Sequence, residues 1–285
     1  MSDKIRNDLQ NLLSNYLPVV QDTLNNADSL ISKIVKEDRM VYGKNIMIAY
    51  RYNDLDFAQL RLPLITCSNT TRITLKDSIN NFQLDMETKP VLQEFIEDTK
   101  RKFRQLFYLG NQEDSFNSIN ELFKPDYINY EQLGDLEAKA SCYKGEGFNV
   151  SALRSLATDK DFIIVSNKIK DLYMDYLKNG GHLEGYKKEG VLFTPFTTLI
   201  ELNGLPDNII YLINSKDFKI EELADWSWLP VLESGILADK EHYTTYYMTL
   251  VKYMNLICTN PKNQCKIILE DTNKLNTYCT YKKEG

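Results

Sequence analysis

Residues 160–181 read KDFIIVSNKIKDLYMDYLKNGG. The four apolar residues from Phe162 to Val165 fit a strand covered on both faces. Ser166 or Asn167 then stands where a helix cap belongs. Ile169, Leu172, Tyr173, Tyr176 and Leu177 follow at the i, i+3, i+4, i+7, i+8 spacing of a helix with one apolar face, and Gly180-Gly181 supplies the stop. A strand running into a helix is how a nucleotide-binding crossover begins, and equally how a purely structural module is built. The junction decides between them. Phosphates need glycines between strand and helix to reach the helix N-terminus, and this junction is Ser166-Asn167-Lys168. No G-x-x-x-x-G-K-[ST] occurs, and Gly145-x-Gly147 lacks both the preceding strand and the third glycine. The stretch therefore reads as a core strand and helix whose cap ties the helix start.

Working towards the C-terminal side, apolar strands are expected at Val191–Phe193, Leu199–Leu202, Ile209–Ile213 and Phe218–Leu223, separated by turns at 203–208 and at Asn214-Ser215-Lys216-Asp217. Helix, strand, helix and then several short strands make an α/β module with a mixed sheet. A helical pattern is expected at about 240–252. A strand pair is expected within 254–270, with NPKN (260–263) as its turn.

Towards the N-terminal side, a helix over about 149–157 precedes the module, and 126–147 reads as an irregular loop. Residues 88–110 carry the strongest helical signal. Thr88 stands at the cap, Pro90 in the first turn and Gly110 at the stop, with Leu92, Phe95, Phe103 and Phe107 on one face. A shorter helix is expected at about 115–123, stopping before Pro125. Ile46, Ile48, Tyr50 and Tyr52, then Leu60, Leu62 and Leu64, alternate with period two about a turn at Asn53-Asp54, and RITLK (72–76) alternates again, so a long antiparallel hairpin or small sheet is expected. Residues 3–37 show helical spacing broken at Pro18, read as two helices or one broken helix, with Asp28 or Ser29 restarting it. Such an arm lays its apolar stripe either on its own chain or on a neighbour.

Composition bounds the function. The 285 residues are 43% hydrophobic and 26% charged, enough for a sizeable core in one or two domains. No run approaches the length of a membrane-spanning helix, and the acid-bearing N-terminus is unlike a secretion signal, so a cytoplasmic start is expected. The net charge of −6, with acids and bases interleaved, argues against a nucleic-acid surface. The one basic cluster, KRKFR (100–104), is placed in the last turns of a helix, where the dipole favours cations. Cys67, Cys142, Cys258, Cys265 and Cys279 are expected to be reduced thiols, and no C-x-x-C accompanies His182 and His242, so neither zinc nor any other metal site is expected. His182 reads as a loop residue and His242 as the surface start of a helix. There is no G-x-S-x-G, and Glu97/Asp98 and Glu221/Glu222 read as solvated carboxylates. No catalytic residue and no cofactor-binding residue is assigned. The 18 tyrosines, concentrated in HYTTYYMTLVKY (242–253), suit surfaces that lie against other proteins as well as they suit a core.

Taken in order, these parts resemble the major capsid proteins of tailed bacteriophages. The resemblance is carried by FNVSALRSLATDKDFIIVSNKIKDLYMDYL and GVLFTPFTTLIELNGLPDNIIYLINSKDFKI over 149–220, by MNLICTNPKNQCKIIL, by the helix TKPVLQEFIEDTKRKFRQLFYLG, and by 40–76 as an extended loop. It implies an α+β fold divided into an N-terminal helical arm (1–39), an extended β-hairpin loop (40–80), a peripheral domain with a long backbone helix (81–148), an axial α/β domain (149–230) and a return to the peripheral domain (231–285). It further implies a structural virion protein that assembles with itself, through pentamers and hexamers, into an icosahedral shell enclosing phage DNA. Portal or auxiliary capsid proteins would be further partners; membranes and specific nucleic-acid sequences would not. Its place would be the virion capsid, assembled in the host bacterial cytoplasm. Another virion component (capsid-lining, neck or tail) and a cytosolic α/β enzyme stay open as alternatives. On this reading the arm and hairpin reach over neighbours, and removing residues 1–37 is expected to leave the α/β part folded while stopping assembly.

Overall fold

The structure is a computed structural model and describes residues 2–38, 41–42, 45–53, 56–63, 65–76, 78–110, 116–124, 139–179, 191–194, 197–238, 241–273 and 280–284. In chain order the elements are α1 (Ser2–Asn25), β1 (Val35–Asp38), β2 (Val41–Tyr42), β3 (Asn45–Asn53), β4 (Asp56–Pro63), β5 (Ile65–Lys76), α2 (Asn81–Leu109), β6 (Ser141–Gly145), α3 (Val150–Leu156), β7 (Phe162–Val165) and α4 (Asn167–Asn179). Then come β8 (Val191–Thr194), β9 (Thr197–Glu201), β10 (Ile209–Ile213), β11 (Phe218–Trp228), β12 (Leu232–Ala238), β13 (Glu241–Cys258), β14 (Cys265–Leu269) and β15 (Lys282–Lys283).

The quoted stretch forms as expected. Asn149 caps α3, accepting from Ala152 N at 2.9 Å, and Ser166 Oγ accepts from Ile169 N at the start of α4. Between them β7 lies inside a seven-stranded mixed sheet of order β15-β6-β14-β10-β7-β9-β8. Because side chains alternate along a strand, Ile163 and Val165 join α3 and α4 in one core, while Phe162 and Ile164 join the core beneath α2. Gly180 and Gly181 lie outside the described residues.

A second sheet of five strands is organised by β13. β11 and β12 pair end to end along one side of it, β5 runs along the other, and β1 extends beyond β11 in parallel. Here the sequence reading is corrected. The expected helix at 240–252 is strand. Tyr243, Thr244, Thr245, Tyr246, Tyr247, Thr249 and Val251 are β-branched or aromatic types that fill a pleated surface, and strand partners on both sides satisfy the backbone of β13. His242 is thus a strand residue paired with Leu237, and His182 lies outside the described residues. The two strands of 254–270 exist but do not pair: β13 belongs to the five-stranded sheet, β14 to the seven-stranded one, and a 3₁₀ turn at Pro261–Asn263 carries the chain between them. The RITLK segment is the end of β5 and pairs with β13 rather than with the hairpin.

The hairpin itself forms: β3 and β4 pair antiparallel, with Asn53 opposite Asp56, and β2 adds a third strand. Asp54 lies outside the described residues.

Two proline expectations also change. α1 runs unbroken through Pro18, and α2 through Pro90. A proline orphans the carbonyl four residues back; here those residues, Ser14 and Met86, are exposed, so water can serve the freed carbonyls. Helix α2 starts well before Thr88, at a capping box in which Asn80 and Gln83 exchange side-chain bonds of 3.0 and 3.2 Å. Its 29 residues span about 43 Å. Gly110 ends it as expected, at φ 76°, its N–H bonded to Leu106 O at 2.9 Å. No second helix restarts at Asp28 or Ser29. Asp28 Oδ1 instead accepts from Leu30 N and Ile31 N, holding a 3₁₀ turn at Ile31–Lys33 that leads into β1. Of the expected helix at 115–123 only a 3₁₀ turn at Glu121–Phe123 forms within the described part, and the expected loop at 126–147 contains β6.

The apolar stripe of α1 lies on its own chain. Ile5, Leu9 and Leu13 pack with Leu84 and Leu92 of α2 and with Tyr246 and Met248 of β13, while Val20 and Leu24 join the core around Phe103 and Phe107. A segment so deeply embedded argues against removing residues 1–37 without loss to the core around it.

Candidate functional site

With α1 and α2 on one face of the five-stranded sheet, the other face is left to β13, β5 and β12. Twelve consecutive pairs, from Tyr243 opposite Lys76 to Met254 opposite Ile65, fix the register. Cys67, Asn69, Ile73 and Leu75 point to the helix side, so Thr66, Ser68, Thr70, Arg72, Thr74 and Lys76 share the opposite face and are exposed. Across from them stand Tyr243, Tyr247 and Tyr253, each partly exposed. Cross-strand hydroxyl pairs, Thr74 with Thr245 and Thr70 with Thr249, each at 2.9 Å, and Lys76 Nζ 5.6 Å above the Tyr243 ring stiffen this surface. Leu232, opposite Tyr247, is 65% exposed. Among the described residues β5 pairs only with β13, so its outer edge adds a row of backbone donors and acceptors. The surface is rich in hydroxyl and aromatic groups and carries the cations Arg72 and Lys76. Its chemistry suits contact with protein.

The layer below is held by buried charge. Lys252, almost wholly buried, lies 2.7 Å from Glu222 Oε2 and 3.0 Å from Asp225 Oδ1. Asn25 Nδ2 donates to Asp225 at 2.8 Å and Gln21 Nε2 to Trp226 O at 2.8 Å, which fastens α1 to β11. Burial pushes the Asp225 carboxyl up, but the hydrogen bond and charge of Lys252 outweigh it and hold the group below its ordinary value. Burial, with Lys252 close by, pushes the nearby Lys36 ammonium down. Glu221 and Glu222, expected on a solvated face, are therefore core residues. Trp226 and Trp228 both turn towards α2, meeting Phe103 edge-on at 5.4 Å and Phe95 stacked at 5.8 Å.

A second network ties α2 to both sheets. Arg104 donates to Asp28 Oδ2 at 2.9 Å and to Glu201 O at 2.8 Å, and Tyr108 donates to the same Asp28 oxygen at 2.8 Å. Burial, then the Asp28 charge, pushes the Tyr108 phenol well up. Arg101 and Lys102 pair with Asp98, so carboxylates rather than the last turn of the helix dipole neutralise KRKFR. Where the chain crosses between the sheets, Asp217 Oδ2 accepts from Asn263 Nδ2 at 2.7 Å and Gln264 Nε2 at 2.8 Å, and Ser215 N donates to Asp161 at 2.8 Å. These polar locks had no sequence signal, because their partners are distant in the chain.

Cys67, Cys258 and Cys265 are buried and Cys142 half-buried, burial pushes the Cys142 and Cys265 thiols up, and Cys279 lies outside the described residues. Among the described residues no three His, Cys, Asp or Glu side chains cluster as a metal site would need. The groove beside α2, about 570 Å³, is lined largely by Glu94, Glu97, Asp98, Lys100, Arg101 and Arg104, several of them paired with one another or with Asp28.

No family model and no curated protein matches this sequence. Solved structures do. The capsid of an empty GTA particle is 11% identical, with 87% of this chain and 92% of that chain covered, at a TM-score of 0.50. The chain has the tailed-phage major capsid fold. The encapsulin complex of Synechococcus elongatus is 11% identical over 90% of this chain and 92% of that one, at 0.49. The virus-like particle of Pyrococcus furiosus is 10% identical over 87% and 95%, at 0.45. No helix among the described residues is long and apolar enough to cross a membrane.

Proposed function

We propose that this chain is the structural subunit of an icosahedral shell, associating with itself through pentamers and hexamers into a head that encloses phage DNA. The capsid fold over most of the chain carries this reading. The open Tyr/Thr face and free edge of the five-stranded sheet supply surface for contacts between copies. Each contact is weak; repetition around a closed shell makes the sum strong. The domain division 1–39, 40–80, 81–148, 149–230 and 231–285 belongs to the same reading, with α1 acting as a buttress of its own peripheral domain and the β3–β4 hairpin as the reaching element. A net charge of −6 suits an inner wall that does not cling to packaged DNA. The role is structural and carries no catalytic step or cofactor. Portal or auxiliary capsid proteins are further partners, and the virion, assembled in the host bacterial cytoplasm, is its place.

The test is sedimentation velocity of the purified chain, with electron micrographs of the fastest fraction. Rings of five and six or closed shells are the expected result. A monomer up to millimolar concentration, with Leu232→Ser behaving identically, overturns it.

A further inference from the structure

The sequence singled out Gly145-x-Gly147 and then left it without a role. The structure gives it one. Gly145 ends β6, and a Cβ built there would lie 2.3 Å from Cδ1 and 2.6 Å from Cε1 of Tyr281. The tyrosine ring thus sits in a notch that only glycine leaves open. Its hydroxyl accepts from Asn149 N at 2.9 Å, and Asn149 is itself the cap of α3, so the rim of the notch is rigid. Beyond the ring, β15 adds to the β6 edge, Lys282 opposite Lys144 and Lys283 opposite Tyr143. Glu284 N donates to Cys142 O at 2.9 Å, and Glu284 Oε1 meets Lys144 Nζ at 2.5 Å. Among the described residues β15 has β6 as its one strand partner and is the outermost strand of the sheet. One aromatic anchor in a pocket plus a short strand on an exposed edge is how a peptide binds a receptor by strand addition.

We propose that the β6 edge and the Gly145 notch form a binding groove for an extended Tyr-Lys-Lys-Glu segment, and that in the assembled protein the groove takes this segment from a second copy of the chain. The second half rests on the shell reading above. Within one chain the segment is held by the Tyr281 ring in the notch, its hydroxyl bonds, the short strand pair with β6 and the Glu284–Lys144 pair. All of them are made by residues 281–284 themselves and so are open to the same segment of another copy. Crowding copies together brings neighbouring segments to a comparable concentration, and exchange then makes the same bonds it breaks.

Two variants separate the roles. Tyr281→Ala keeps the groove and loses the occupant; Gly145→Ala fills the notch and keeps the occupant. Each alone is expected to speed hydrogen exchange at 280–284 at least ten-fold. Mixed under different tags, the two are expected to associate, the Gly145→Ala segment entering the Tyr281→Ala groove and regaining protection. A labelled peptide Thr280–Glu284 is expected to bind the Tyr281→Ala chain at least ten-fold more tightly than the Tyr281→Ala/Gly145→Ala chain, where the notch is filled. Unchanged exchange in Tyr281→Ala, or no discrimination by the peptide, overturns the groove. A peptide that discriminates with no association in the mixture overturns the exchange between copies. Shell formation by the unaltered chain is read separately: shells without exchange sink this inference alone, and exchange without shells sinks the shell reading alone.

Discussion

In the seven-stranded sheet, Phe162, Ile163, Ile164 and Val165 of β7 are all fully buried, because helices cover one face and the α2 core covers the other. In the five-stranded sheet, β13 buries Tyr246, Met248 and Leu250 against α1 and α2, while Tyr243, Tyr247 and Tyr253 on its other face keep part of their surface. Both faces of the first sheet are covered inside one chain. The second still has a face to spend, and its hydroxyls and rings allow that face to be wet in the free subunit and dry in a contact. A sheet covered on both faces specifies a fold; a sheet covered on one leaves room for assembly.

That contrast can be broken most severely at the covering layer. Removing residues 2–25 strips five buried aliphatic side chains, Ile5, Leu9, Leu13, Val20 and Leu24, from the helix side. At 1.5–3 kcal/mol each the loss is on the order of 10 kcal/mol, comparable with the whole stability of a domain. The truncated chain is expected to lose cooperative urea unfolding of the five-stranded half, not merely its assembly.

Next come single buried groups. Phe162→Ala, within the doubly covered sheet, is expected to cost about 3–5 kcal/mol in urea unfolding. Lys252→Met is expected to cost a similar ~3–5 kcal/mol, by leaving Glu222 and Asp225 without their cation. Acid tests the same network. Asp225 has its folded pKa lowered, so its contribution is fully present above its ordinary value near 3.8 and is lost as pH falls through the folded value. Stability should therefore decline below about pH 4, and Asp225→Asn should flatten that part of the profile measured by urea midpoints.

The smallest effect on folding is expected on the open face. Leu232→Ser with Tyr247→Ser should change monomer stability by less than about 1 kcal/mol, since each cross-strand pair contributes roughly 0.2–1 kcal/mol. The same pair of changes should abolish the fast-sedimenting species. A loss of several kcal/mol in the monomer instead would mean that this face is covered by its own chain.

How much was legible follows the same line. The β7–α4 unit was readable because its strand, cap and apolar face are local and consecutive. Gly110 was readable as a helix stop because a positive φ is a local demand. The face of β13 was half readable: its tyrosines were singled out for contact, but their segment read as helix. The start of α2 was missed because Asn80 and Gln83 form their capping box before the apolar rhythm becomes regular.

By itself the sequence determined the α+β class, the succession of helix, hairpin and mixed sheet, and the want of a phosphate-binding junction, since composition, periodicity and glycine placement are local properties. Only the tertiary structure decided that 241–258 is a strand, that β13 and β14 part into different sheets, that Glu222 is buried against Lys252, and that Tyr281 fills the notch at Gly145. In each of these cases the deciding partner lies far away in the chain. No local pattern carries the free energy of a contact with a residue a hundred positions distant.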